Sequence, residues 1–170
     1  MDEAAAPPTR VLFVCWGNIC RSPTAEGIMR TLLHGTGLDG LVEVDSAGTS
    51  GEHAGDLPDR RALAEAAARG IDLRDQRARR VRVDDWDRFD LLLVADGMVE
   101  RNLLRMAPDV RARAKVHRMT AFGPDADVED VPDPYYGGPD GFQQVYDLLA
   151  RACAGLVEHV RGLRADLPAG

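Results

Sequence analysis

Val11-Leu12-Phe13-Val14-Cys15-Trp16-Gly17-Asn18-Ile19-Cys20-Arg21-Ser22-Pro23-Thr24-Ala25-Glu26 decides the architecture. Its first four residues are all apolar, rich in β-branched and aromatic types, and lack the alternation of a half-exposed strand. Arg10–Val14 is therefore expected to be a buried strand. Ser22-Pro23 reads as a helix start, with Ser as the N-cap and Pro at the first helical position. Ala25, Ile28, Met29, Leu32 and Leu33 then give that helix one apolar face. A buried strand, a short loop and a helix in succession make the first half of a crossover between parallel strands.

The same alternation runs outward along the chain. Strands are expected at Leu41–Asp45, Leu91–Ala95 and Ala114–Met119, and helices at Asp59–Arg69, Met98–Met106 and Gly141 to about Leu163. A Gly-rich turn fills 35–40, and Arg77–Val83 is a basic connector. The pattern implies an α/β fold: a four-stranded parallel sheet flanked by helices on both faces, in a single doubly wound domain. The domain is assigned to residues 10–165, behind a disordered tail at residues 1–9. Residues 120–140, rich in Pro and Gly, form one long loop, which in a compact domain points to function. Ligands of such sheets bind beyond the carboxyl ends of the strands.

Composition narrows the function. A chain of 170 residues, 45% apolar and 29% charged, suits one globular domain and needs no disulfide or metal to fold. The formal net charge of −7 argues against a general nucleic-acid binder. No apolar run is long enough to cross a bilayer, so no membrane association is expected. Met1–Pro8 has no apolar segment of the secretory kind. With 3 cysteines, an odd number, reduced thiols and a cytoplasmic location are expected. Lys115 is the sole lysine against a large excess of arginine, a bias that hints at a GC-rich bacterium. The four histidines are scattered and the cysteines lack a second ligand pair, so no metal and no cofactor are expected. Gly35-Thr36-Gly37-Leu38-Asp39-Gly40 matches a dinucleotide fingerprint in letters only, because a helix precedes it and a strand follows.

The chemistry lies in Cys15–Ser22, a P-loop-like segment between a buried strand and a helix N-terminus. Backbone N–H groups and the helix dipole converge there, which makes an anion site. Gly17 and Asn18 most readily take positive φ and let the loop curl its N–H groups inward. A cysteine at the start of such a cradle is expected to ionise easily. Arg21 can grip two oxygens of a phosphate with its planar fork. Ser22 can donate to the Cys15 sulfur. Thiolate, donors and guanidinium are what phosphoryl transfer to sulfur requires. A buried cysteine in an ordinary strand–helix turn is the bland alternative, and the agreement of strand, Gly-Asn and Ser-Pro tells against it.

The segment Val14–Glu26 resembles the signature of low-molecular-weight protein tyrosine phosphatases. The likeness continues at Asp45-Ser46-Ala47-Gly48-Thr49 and Asp133-Pro134-Tyr135-Tyr136-Gly137-Gly138, and covers nearly the whole chain. It implies hydrolysis of phosphotyrosine and aryl phosphates through a cysteinyl-phosphate. Cys15 would be the nucleophile, Arg21 the phosphate ligand, and Asp133 the general acid and then base. By the same resemblance Trp16, Gly17, Asn18, Ile19, Cys20, Ser22 and Tyr135 bind substrate, and Ser46 braces the loop with Asn18. The implied partner is a phosphotyrosine-containing protein, and by resemblance alone a bacterial exopolysaccharide tyrosine kinase is a candidate.

The chain departs from the family pattern in places. Glu52, followed by His53, stands where an aromatic residue is usual, and Trp16 is larger than its usual counterpart. Trp16 is expected to supply the missing ring surface, whereas Glu52 would repel acidic substrates. Gln76 stands where His is common, and Val99 where a polar residue is. Cys15 and Cys20, five positions apart, could form a protective disulfide, while Cys153 sits on the last helix's apolar stripe. Asp130 and Asp140 are expected to be solvated. Two other functions remain: an arsenate reductase using a low-molecular-weight thiol, and a non-catalytic anion-binding module.

Overall fold

A computed structural model describes residues 6–168. Four parallel strands form one sheet in the order β2-β1-β3-β4: β1 Thr9–Cys15, β2 Val42–Gly48, β3 Leu91–Val94 and β4 Val116–Arg118. Residues 1–5 of the expected tail lie outside the described residues, and Thr9, its last residue, opens β1.

β1 lies inside the sheet with both faces covered, which is why its apolar run is unbroken. Val11, Phe13 and Cys15 face one layer, where α1 (Arg21–Leu33) and α6 (Gly141–Ala165) supply Ile28, Met29, Leu149, Leu156 and Val160. Leu12 and Val14 face the other, against Trp86 and Phe89, and Val99 and Leu103 of α4 (Gly97–Leu104). α2 (Arg60–Ala68) begins at Asp59, whose carboxylate accepts from the Arg61 N–H.

The differences from expectation have local causes. β2 runs on to Gly48 because Ser46, Ala47 and Gly48 stay in register with Phe13, Val14 and Cys15. Two single-turn helices, α3 (Asp85–Arg88) and α5 (Val110–Arg113), were not foreseen; Asp109 caps α5 by accepting from the Ala112 N–H. α1 starts at Arg21 rather than after Ser22, and no side chain caps it. The Ser22 hydroxyl is instead engaged with Cys15 and Asn18. Gly35, Gly37 and Gly40 all take positive φ in the turn out of α1, so their spacing serves the turn.

The long segment after β4 is tied down. Val131 N–H donates to Ala95 O at 2.7 Å. Asp130, expected to be solvated, accepts from Gly97 N–H at 3.1 Å and from the Arg118 guanidinium at 2.6 Å. A 3-10 turn at Pro134–Tyr136 follows, started by Asp133, which accepts from Tyr135 N–H. These ties hold Asp133 over the carboxyl ends of β1 and β3.

Candidate active site

Between β1 and α1 the chain turns its carbonyls outward and fastens them. Cys15 O accepts from Thr49 N–H, Trp16 O from Ser50 N–H, and Ile19 O from Asp59 N–H, all at 2.8–3.0 Å. Cys20 O accepts from the Thr24 hydroxyl at 2.7 Å. The backbone N–H groups of residues 16–20 make no hydrogen bond to any acceptor among the described residues. Free donors on a loop held from behind through four of its carbonyls form a nest for an anion.

Asn18 is the one described non-glycine residue with positive φ, at 58°. Its amide repays that conformation with three hydrogen bonds. The Oδ1 accepts from Arg79 N–H at 2.9 Å, which fixes the orientation of the group. The Nδ2 then donates to Ser22 Oγ at 2.8 Å and Ser46 Oγ at 3.0 Å. With Asn18 donating to both hydroxyls, each keeps its own hydrogen to give onward. Ser22 lies 2.9 Å from Cys15 Sγ, and Ser46 is in hydrogen-bonding reach of Glu26. Asn18 and Ser22, expected to bind substrate, have side chains beneath the cleft, 3% and 0% exposed. Gly17 does not take positive φ; a Cβ there would meet the His53 ring at 3.0 Å, so the need for glycine is one of space.

Arg21 is 2% exposed and its guanidinium is aimed by the far end of the sheet. One nitrogen donates to Asp96 at 2.7 Å and to Val131 O at 2.8 Å. The other lies 3.7 Å from Asp133 Oδ2. Burial works against the charge on Arg21, but Cys15 and Asp96 outweigh it and hold its pKa above the usual value. Asp96 is kept low despite burial by the Val99 N–H and Arg21. Val99 needs no polar side chain here, being wholly buried and contributing only its backbone N–H.

Cys15, Cys20, Arg21 and Asp133 line one cleft of about 140 Å³, with Trp16, Gly17 and Ile19 at its side. Tyr135, 41% exposed, and Tyr136 stand on its rim. Across from them lie Glu52 and His53, whose ring meets Trp16 edge-on at 6.3 Å. Arg61 fastens the tyrosine side, donating to Tyr135 O at 3.2 Å and lying over the Tyr135 and Phe142 rings. Cys20 packs by Ala62 and Phe142, and burial, then Asp59, pushes its thiol pKa up. All three cysteines are free; Cys153 is buried in the core on α6. Among the described residues no cluster of side chains could hold a metal, and no helix is long and apolar enough to cross a membrane.

Residues 10–165 match the family model of the low molecular weight phosphotyrosine protein phosphatases. The chain belongs to that family. A low molecular weight protein-tyrosine-phosphatase of Streptomyces coelicolor is 44% identical over 155 residues, spanning 89% of this chain and 93% of that one. YfkJ of Bacillus subtilis superimposes with a TM-score of 0.87 at 35% identity, over 94% of this chain and 99% of that one. Vibrio vulnificus Wzb, solved with benzylphosphonate, gives 0.76 at 29% identity, over 89% and 98%. The fold and the phosphatase activity expected from the sequence are thereby established.

Two residues of this phosphatase's site, Asp96 behind the cleft and His53 in its wall, escaped the sequence reading. Asp96 directs Arg21, and its position directly beyond β3, at the carboxyl end of a strand, was the available signal. His53 was noted only as Glu52's neighbour, and nothing local to it marks it as part of the wall. Gln76 is buried, donates to Pro23 O at 3.0 Å, and leaves its own Oε1 unpartnered among the described residues.

Proposed function

We propose that Cys15 Sγ attacks the phosphorus of a phosphotyrosine side chain, forming a cysteinyl-phosphate while the bond from phosphorus to the tyrosyl oxygen breaks. The N–H groups of residues 16–20 and the Arg21 guanidinium hold the three remaining phosphate oxygens, whose charge persists through the transition state. Ser22 donates its hydroxyl hydrogen to the sulfur, which steadies the attacking thiolate and later the departing one. Asp133, protonated for the first step, passes its proton to the leaving oxygen. Its carboxylate then takes a proton from water as that water attacks phosphorus and releases Cys15 and inorganic phosphate. Trp16 and Tyr135 flank the substrate ring, and Ser46 and Asn18 hold the loop's shape from beneath.

The observation that carries this reading is the set of unengaged N–H donors next to Cys15, with Arg21 and Asp133 lining the same cleft. Its test is steady-state kinetics on aryl phosphates of graded leaving-group pKa. Cys15→Ser should abolish turnover. Asp133→Ala should lose roughly a hundredfold or more on the poorest leaving groups and little on the best. Equal losses across the series would remove Asp133 as the acid.

The domain is taken as residues 10–165, and the substrates as phosphotyrosine proteins of a bacterial cytoplasm, a tyrosine kinase among them. Arsenate reduction is the competing chemistry. It needs a second thiol near the first; Cys153 is in the core, so only Cys20 or a small thiol could serve. Thiol-dependent arsenate turnover exceeding hydrolysis of p-nitrophenyl phosphate would favour it.

A further inference from the structure

Trp16 is a partition between two hollows. One is the cleft with Cys15; the other, about 230 Å³, lies on the opposite side and is lined by Trp16, Thr49, Ser50, Arg80, Asn102 and Arg105. Its floor is the backbone that braces the phosphate loop, since Thr49 and Ser50 donate their N–H groups to Cys15 O and Trp16 O. Arg80 donates its Nε to Thr49 O at 3.2 Å, and Arg105 reaches only Asn102 Oδ1, at 3.4 Å. Neither guanidinium has a carboxylate partner among the described residues, unlike neighbouring Arg79, which is spent on Asp45 and Asp85. Thr49 is 8% exposed, and its hydroxyl has no hydrogen-bond partner among the described residues. No carboxylate lines the second hollow, whereas Glu52 lines the first.

In a chain with net charge −7, two cations left unpaired beside polar groups are a site for an anion. We propose that this hollow is a second substrate subsite, in which Arg80 and Arg105 receive an anionic side chain of the phosphotyrosine peptide. The proposal builds on the phosphatase reading of the first cleft and specifies its substrate class. The anion is either a carboxylate or a second phosphate. Because the second hollow adjoins the first only across Trp16, the preference is one-sided. An acid on the flank that crosses Trp16 is favoured, and one on the flank toward Tyr135 and Tyr136 gains nothing.

The test walks a single glutamate, and separately a second phosphotyrosine, along both flanks of a phosphotyrosine peptide, with p-nitrophenyl phosphate as the small substrate. Wild type should show a KM lowered roughly three- to tenfold for an acid on one flank only. That gain should shrink with added salt. Arg105→Gln and Arg80→Gln should each erase most of it while leaving kcat/KM for p-nitrophenyl phosphate within about twofold. Should Arg80→Gln disturb the loop through Thr49 and slow the small substrate, Arg105→Gln, at the end of α4, carries the test. The glutamate and phosphotyrosine arms show which anion is preferred. A flat or two-sided response in wild type, or a gain that survives Arg105→Gln, overturns the subsite. Failure to hydrolyse p-nitrophenyl phosphate at all would instead overturn the phosphatase reading beneath it.

Discussion

Replacing Glu26 by glutamine should make the protein more stable at pH 8 and leave it nearly unchanged at pH 4.5. Glu26 sits on α1 with 2% exposure, among Ser46, Asp45, Asp75, Gln76, Arg77 and Arg30. Burial raises its pKa from 4.5 to about 7, although Arg30, at 2.7 Å, and the Ser46 hydroxyl pull the other way. In the unfolded chain the carboxyl ionises through the ordinary value; in the folded chain it holds its proton to about neutrality. The folded state therefore binds more protons across that interval, and stability falls as pH rises through it. The cost is absent below the lower value and complete above the upper one. About 2.5 pH units at 1.36 kcal/mol each gives roughly 3 kcal/mol. Glutamine removes this cost, and because the shift is already net of the attraction to Arg30, the gain expected at pH 8 is about 3 kcal/mol. Urea unfolding followed by the fluorescence of Trp16 and Trp86, run on both proteins at both pH values, measures it. An equal difference at the two pH values, or a loss at pH 8, would refute the reasoning. Glutamine keeps an acceptor for Ser46, so activity should survive in Glu26→Gln and fall in Glu26→Leu, where the Ser46–Asn18 contact has nothing behind it.

Ser22→Ala removes the only side-chain hydroxyl within reach of Cys15 Sγ among the described residues; kcat should fall roughly ten- to a hundredfold with KM little altered, and unchanged turnover would remove the hydroxyl from the mechanism. Trp16→Ala should raise KM for aryl phosphates roughly two- to tenfold, whereas an unchanged KM would mean that the indole merely covers the strand end. Mild peroxide should convert Cys15 to a sulfenic acid that Cys20 condenses with, giving a disulfide and water. Activity should return with dithiothreitol in wild type but not in Cys20→Ser; mass spectrometry that finds only overoxidised Cys15 would refute the pairing.

What could be read from the sequence was whatever a short window contains. β1, the loop after it and the start of α1 carry their information within a few residues: an unbroken apolar run, a residue tolerant of positive φ at Asn18, and a helix beginning. The 3-10 turn after Asp133 was read only as part of a long loop, although Pro132 and Pro134 limit the backbone around it. The ends of elements were less legible. Ser46-Ala47-Gly48 has poor strand propensity and is held extended by register with Phe13-Val14-Cys15, a fact about another segment. Ser22 has the sequence mark of an N-cap, and the misreading has a specific cause: its hydroxyl is claimed by a sulfur and an amide that only the folded loop brings within reach. Asp96 lies 75 positions from Arg21, and Asp130 lies 12 from Arg118 and 33 from Gly97; no periodicity connects them. Yet these distant pairings aim the guanidinium and hold the acid-bearing loop. The nest is held in shape by Thr49, Ser50, Asp59 and Arg79, and it becomes a catalytic cleft only when the end of β3 supplies Asp96 and the segment after β4 delivers Asp133. A variant that loosens Arg118 from Asp130, far from any reacting atom, should therefore move Asp133 while leaving the anion nest intact. Its signature is a kcat that falls more on poor leaving groups than on good ones, with the affinity for inorganic phosphate retained.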